Sequence, residues 1–210
     1  MTCSLNTCAV AALVLAAAPV AAQTDQTTAA DMEVSGELQA VNPVGGTPVS
    51  GSVSILPEDG MLTLALEAEG LSPGMHLAHV HGFAEPDPDQ SSCPGDDADT
   101  NGDGFVDLIE TREAAGVTMI PFSAEPASLD IQTDTYPAAD GTGQLSYRQA
   151  VDLSALSAAV ETQFGTPLAL SRRVVFVHGV PEGTELPGTV QSLEGVPAHV
   201  TLPVACAELD

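Results

Sequence analysis

Short segments in which apolar and polar residues alternate recur along most of this chain, separated by glycine, proline and acidic residues. Alternation with a period of two predicts half-buried β-strands. The sequence Pro57–Gly60 (PEDG) is a turn between two such segments, which predicts a hairpin. We therefore predict an all-β fold, an antiparallel sandwich or barrel. The predicted strands cover 32–41, 49–56, 61–66, 144–151, 173–178, 199–205 and a histidine-rich segment after residue 74.

One helix is predicted within this β-pattern. Asp152 is a residue type that caps helix N-termini, and Gly165 is one that ends helices. Between them, apolar residues recur at helical spacing. We expect this helix to cover an edge or an end of the sandwich.

The N-terminal residues predict export from the cytoplasm. Residues 9–22 form a short apolar, alanine-rich run that ends in a small-residue cleavage site after Ala22. We predict a signal peptide over 1–22, a disordered leader over 23–30 and one β-sandwich domain over 31–210. Removal of the signal peptide leaves Cys93 and Cys206 in an oxidising compartment, so one disulfide is expected. The predicted location is secreted or periplasmic.

The charge of the chain limits its partners. There are 29 Asp and Glu residues against 4 Lys and Arg, which gives a formal net charge of −25 at pH 7. Nucleic acids and anionic membranes are polyanions, so neither is expected to bind. The same charge favours solubility and attracts cations, and metal ions are the partners we expect.

A long acidic insertion, residues 84–116, follows the histidine segment and contains an EF-hand-like string at 99–110 (DTNGDGFVDLIE). Oxygen donors occupy positions 1, 3, 5, 9 and 12 of this string, glycine occupies position 6, and a backbone carbonyl is available at position 7. Pro94 leaves no room for a full entering helix, so we predict an isolated calcium loop. The predicted calcium ligands are Asp99, Asn101, Asp103, Phe105, Asp107 and Glu110.

Three of the five histidines lie within six residues, at 76, 79 and 81. On a strand, His79 and His81 point to the same face, and two neutral imidazoles side by side can bind a metal ion. A second β-forming run ends at His178, which we predict as a third imidazole ligand. A pair of histidines spaced in this way is also found without any metal, so a purely structural role stays open.

The residues around these histidines resemble a known family. Gly70–His81 (GLSPGMHLAHVH) is similar to the copper-ligand strand of the copper/zinc superoxide dismutases, and Val174–His178 (VVFVH) is similar to the strand that ends in a later copper ligand. Leu202–Cys206 (LPVAC) resembles the C-terminal strand that carries one disulfide cysteine. The ending His-x-His-Gly is also similar to that of the CHRD (chordin-type) domains of secreted bacterial proteins. The resemblance implies a Greek-key β-sandwich, copper at His79, His81 and His178, and a structural role for His76.

The chain also departs from that family. No histidine lies between His81 and His178, so the bridging histidine and the histidine zinc ligands have no counterparts. Pro203 stands where the family has an arginine, and a strongly negative protein repels superoxide. We therefore expect metal binding with little or no dismutase activity. A divergent copper dismutase and a non-catalytic structural or adhesion module are the alternatives, and the role of His199 stays open.

Overall fold

The computed structural model describes residues 32–42, 44 and 48–210. The predicted signal peptide and leader lie outside these residues. No helix in the described part of the chain combines the length and the apolar character that crossing a membrane requires.

The described residues form ten strands and three short α-helices, with 3₁₀ turns at Asp96–Ala98, Pro126–Ser128 and Leu170–Arg172. The strands are β1 (Val34–Ala40), β2 (Ser50–Glu58), β3 (Met61–Glu69), β4 (Gly74–Met75), β5 (Ala78–Gly82), β6 (Val117–Pro121), β7 (Ala138–Ala139), β8 (Leu145–Asp152), β9 (Val174–His178) and β10 (Pro203–Glu208). The helices are α1 (Arg112–Ala115), α2 (Leu153–Phe164) and α3 (Ala198–Thr201).

Eight of the strands form one antiparallel sheet in the order β6-β5-β9-β10-β1-β2-β3-β8. The sheet has two four-stranded halves, which meet where β1 pairs with β10. The chain crosses between the halves after β3, β6 and β8, and β10 returns beside β1, as in a Greek key. The predicted all-β antiparallel sandwich is therefore confirmed.

The two halves enclose one hydrophobic core. Val53 and Leu64 from one half are buried in the same cluster as Val80 and Val175 from the other. These residues alternate along their strands with residues of the opposite face, as the period of two predicts. Burial of this apolar surface is the main contribution to the stability of the fold.

Local signals placed two features correctly. The hairpin between β2 and β3 turns at Asp59 and Gly60, both with positive φ (50° and 81°), which the right-handed twist of a tight hairpin requires. Helix α2 begins and ends where its cap residues predict, and the Asp152 carboxylate accepts a hydrogen bond from the backbone N–H of Ala155 at 2.7 Å.

One strand prediction needs correction, and one strand was missed. The C-terminal strand begins at Pro203, because residues 198–201 form α3 directly after Pro197; His199 is therefore helical. Strand β6 was not predicted, since its five residues follow the acidic insertion without a clear alternation. It forms an edge of the sheet beside β5.

Candidate metal centre

Strands β5 and β9 bring three histidines to one face of the sheet. The two strands are antiparallel, with His79 opposite Phe176, and the backbone N–H of His178 donates to the carbonyl of Leu77 at 2.8 Å. Because side chains alternate, His79, His81 and His178 share the face that points away from the main core. Their ring centroids lie 5.5 to 6.0 Å apart.

The three rings are arranged as metal ligands would be. One ring nitrogen of each lies within 4.8 Å of the others, and the residues are only 5%, 2% and 2% exposed. Nδ1 of His79, Nδ1 of His81 and Nε2 of His178 have no hydrogen-bond partner in the described structure. A buried polar atom without a partner is costly, and three that belong to neighbouring imidazoles fit a bound cation.

Tyr136 fixes the proton position of His79. The Tyr136 hydroxyl lies 2.6 Å from Nε2 of His79 and donates to the backbone carbonyl of Ile131 at 3.2 Å. With its proton used there, the hydroxyl accepts the Nε2–H of His79. The lone pair of His79 is then on Nδ1, the unpartnered nitrogen.

His178 is oriented in the same way by a different group. Its Nδ1 lies 2.9 Å from the backbone carbonyl of Thr201, so Nδ1 carries the proton and Nε2 carries the lone pair. His81 is held more loosely, with Nε2 at 3.3 Å from the Thr118 hydroxyl. Two of the three imidazoles are therefore preset for coordination.

Burial keeps all three histidines neutral. Loss of solvation lowers the pKa of His79 and His81, and the neighbouring histidines lower them further. Loss of solvation also lowers the pKa of His178 to about 4, against a smaller opposite effect of the Thr201 carbonyl. A neutral imidazole is the form that binds a metal ion.

The other two histidines lie outside this group. Both nitrogens of the buried His76 face backbone carbonyls, that of His178 at 2.8 Å and that of Ser72 at 2.7 Å. This contact supports the backbone of a candidate ligand, as the structural role implied for His76 requires. His199 lies in α3, partly exposed, and its carbonyl accepts from Val180.

The acidic insertion covers the histidine face. A disulfide between Cys93 and Cys206 ties the insertion to β10, which confirms the predicted pair. Further along the insertion, Leu108 lines a cavity of about 30 Å³ together with His79 and His178. A second cavity of about 180 Å³ reaches His81 and is lined by Leu108 and by Arg112.

In the EF-hand-like string, side-chain carboxylates accept hydrogen bonds from backbone N–H groups of the same string. Asp99 accepts from Gly102, Asp103 and Gly104, and Glu110 accepts from Thr100, Asn101 and Asp107. Among the described residues, three or more His, Cys, Asp or Glu ligand atoms lie within 4.8 Å of one another only at the three histidines. Calcium binding by this string stays a prediction.

Sequence reasoning missed the groups around the histidines. Nothing in the sequence near Tyr136 indicates contact with His79. Thr201 acts through its backbone carbonyl, so its residue type carries no signal. The apolar side chains that line the cavities beside the histidines, Leu108, Ile131 and Leu193, come from three separate loops. No sequence pattern indicates that these loops meet.

Of the comparisons with known proteins, the one with solved structures gives matches. A similar solved structure is the Cu/Zn superoxide dismutase from Brucella abortus, with a TM-score of 0.45 and 22% sequence identity over 84% of this chain and 98% of that chain. This likeness concerns the fold. No model of a protein family matches the chain, and no curated protein sequence does.

Proposed function

We propose that this chain is a secreted or periplasmic protein that binds copper through His79, His81 and His178 and has little or no dismutase activity. The observation that carries the proposal is a group of three buried histidines, each with one ring nitrogen within 4.8 Å of the others and each with one ring nitrogen that has no hydrogen-bond partner. Imidazoles suit copper and zinc, and the resemblance of the histidine strand to that of copper/zinc dismutases favours copper. The apolar run at 9–22 and the disulfide support export.

Metal content tests the binding. We expect elemental analysis of copper-loaded protein to show stoichiometric copper, and His178→Ala to lose it. The matched control is His199→Ala, which removes a histidine outside the group and keeps the copper. If the wild-type protein holds no copper and its melting is unchanged by added copper, the structural or adhesion module becomes the better description.

Low dismutase activity follows from charge. Superoxide is an anion, and a net charge of −25 repels it. Arg173 is not available to contact the anion, because the residue is 1% exposed and its guanidinium donates to the carbonyls of Phe83, Leu168 and Pro167. We expect a xanthine-oxidase-coupled assay on copper-loaded protein to give far less than diffusion-limited turnover.

One observation favours the alternative, a divergent copper dismutase. Arg112 lines the 180 Å³ cavity that reaches His81, so one cation stands beside the centre. If this arginine guides the anion, copper-loaded protein will dismutate superoxide rapidly, and both Arg112→Ala and His79→Ala will abolish that rate. Such a result would replace our preferred function with this alternative.

We further propose that the acidic insertion binds calcium through Asp99, Asn101, Asp103, the Phe105 carbonyl, Asp107 and Glu110. The support is the spacing of oxygen donors with glycine at the sixth position. Calcium should raise the melting temperature, since it binds the folded state only. Glu110→Gln should lose that response, while Glu113→Gln, with the same charge change just outside the string, should keep it.

A further inference from the structure

We propose that the histidine centre selects Cu(I) over divalent ions, because an apolar cap closes it. The apolar cap consists of Leu108, Ile131 and Leu193, which come from three different loops. The proposal rests on metal binding by the three histidines and goes further by naming the oxidation state and the residues that set it.

The cap makes the space beside two of the histidines small and largely apolar. The cavity that His79 and His178 line has a volume of about 30 Å³, and a buried water molecule needs roughly 10 to 15 Å³ of such space. The three cap residues and Leu77 supply most of its apolar wall. A water ligand there would face hydrocarbon on most sides and find few hydrogen-bond partners.

The charges around the centre oppose a dication. The residues that line the two cavities include no Asp and no Glu, and the one charged side chain among them is the cationic Arg112. The three histidines are themselves neutral ligands. Desolvation energy grows with the square of the charge, so a divalent ion loses roughly four times as much solvation as a monovalent ion of similar size.

Ligand number points in the same direction. Zinc in proteins is almost always four-coordinate, and its catalytic sites add water to three protein ligands. Here three imidazole nitrogens are available, and the three cap residues are apolar and supply no fourth ligand. Cu(I) carries a single charge and is stable with few nitrogen ligands. A site of three neutral imidazoles covered by apolar side chains therefore fits Cu(I) best.

Two hydrogen bonds that carboxylates of the acidic insertion accept connect parts of the cap. The backbone N–H of Gln191 donates to Oδ2 of Asp107 at 2.6 Å, and Asp107 is 1% exposed. The Thr189 hydroxyl donates to Oδ2 of Asp103, also at 2.6 Å. These bonds join the loop that carries Leu193 to the insertion that carries Leu108.

Competition titrations on the full chain test the selectivity. Cu(I) affinity is measured against bicinchoninate under ascorbate without oxygen, and Zn(II) affinity is measured against a fluorescent zinc chelator. We expect Cu(I) to bind at least about a hundredfold more tightly than Zn(II), since the apolar cap and the absence of carboxylates in the cavity lining oppose the divalent ion.

Leu193→Asp is the decisive variant, and Leu193→Asn is its matched control. Aspartate supplies a negative charge to the cap, so we expect the ratio of Zn(II) to Cu(I) affinity to rise by about tenfold or more. Asparagine has the same shape without the charge and should move the ratio far less. Circular dichroism and melting on both variants establish that they fold.

The outcomes separate this inference from the proposed function. Zinc binding as tight as Cu(I) binding in the wild type would overturn the selectivity and leave the metal site standing. An unchanged ratio in folded Leu193→Asp would also overturn the role of the cap. Binding of neither ion would instead overturn the proposed function itself.

Discussion

At the scale of single residues, the candidate ligands were predictable and the groups that orient them were not. The spacing of His79 and His81 is a local pattern with a direct meaning on a strand. Tyr136 lies 57 residues further along the chain and depends on the fold to reach His79. A sequence can therefore indicate candidate metal-binding side chains before it can indicate which nitrogen of each would be the ligand.

Removal of the Tyr136 hydroxyl should weaken copper binding. In Tyr136→Phe, Nε2 of His79 loses its partner at 2.6 Å, so neither the tautomer nor the ring orientation is fixed. Loss of such an orienting bond typically costs about 10- to 100-fold in metal affinity. Tyr147→Phe is the control, because its hydroxyl donates to the carbonyl of Ser123 away from the histidines. Equal copper affinities in the two variants would contradict the role of Tyr136.

The lowered pKa values of the histidines predict acid sensitivity of the metal-free protein. Burial lowers the pKa of His178 to about 4, from an ordinary value near 6.5. Between these values the unfolded chain binds the proton and the folded chain does not, so stability falls as the pH falls from about 6.5 to about 4. The loss from His178 is about 3 kcal/mol at most. Urea denaturation of His178→Ala across this range should show a shallower pH dependence than the wild type, and equal slopes would refute the assignment.

At the scale of elements, the sequence predicted those elements whose ends are set by nearby residues, and missed those that depend on distant strands. Asp152 and Gly165 carry the signals for the ends of α2 within a few residues of each end. Strand β6 has no comparable signal, because it becomes a strand by pairing with β5, which lies beyond the acidic insertion. The start of β10 was misplaced because α3 intervenes after Pro197.

The disulfide should stabilise the insertion as well as the fold. It links residues 113 positions apart, and closing a loop of this size is worth about 4 to 5 kcal/mol in the chain-entropy model. Cys93→Ser with Cys206→Ser should lower the free energy of unfolding by roughly this amount. Copper affinity should fall too, because the insertion covers the histidines. Denaturant unfolding and the bicinchoninate competition measure the two effects; loss of stability with unchanged copper affinity would show that the cap holds without the disulfide.

At the scale of the whole molecule, the insertion and the histidine centre form one unit. The loop that carries Leu193 hydrogen-bonds to Asp103 and Asp107, and both are predicted calcium ligands. The sequence indicated the two candidate metal sites separately. Their connection could not be predicted, because it runs through residues 189–193, which carry no metal-binding pattern of their own.

Calcium should therefore strengthen copper binding. If calcium orders the insertion, it also orders the cap, and coupling between two sites is typically about fivefold or more. The coupling is reciprocal, so copper loading should raise calcium affinity by the same factor. Cu(I) titrations with and without calcium, and calcium titrations of copper-free and copper-loaded protein, measure both sides. Glu110→Gln should abolish the effect and Glu113→Gln should keep it. Calcium binding that leaves copper affinity unchanged would mean that the cap is rigid without calcium and that the two sites act independently.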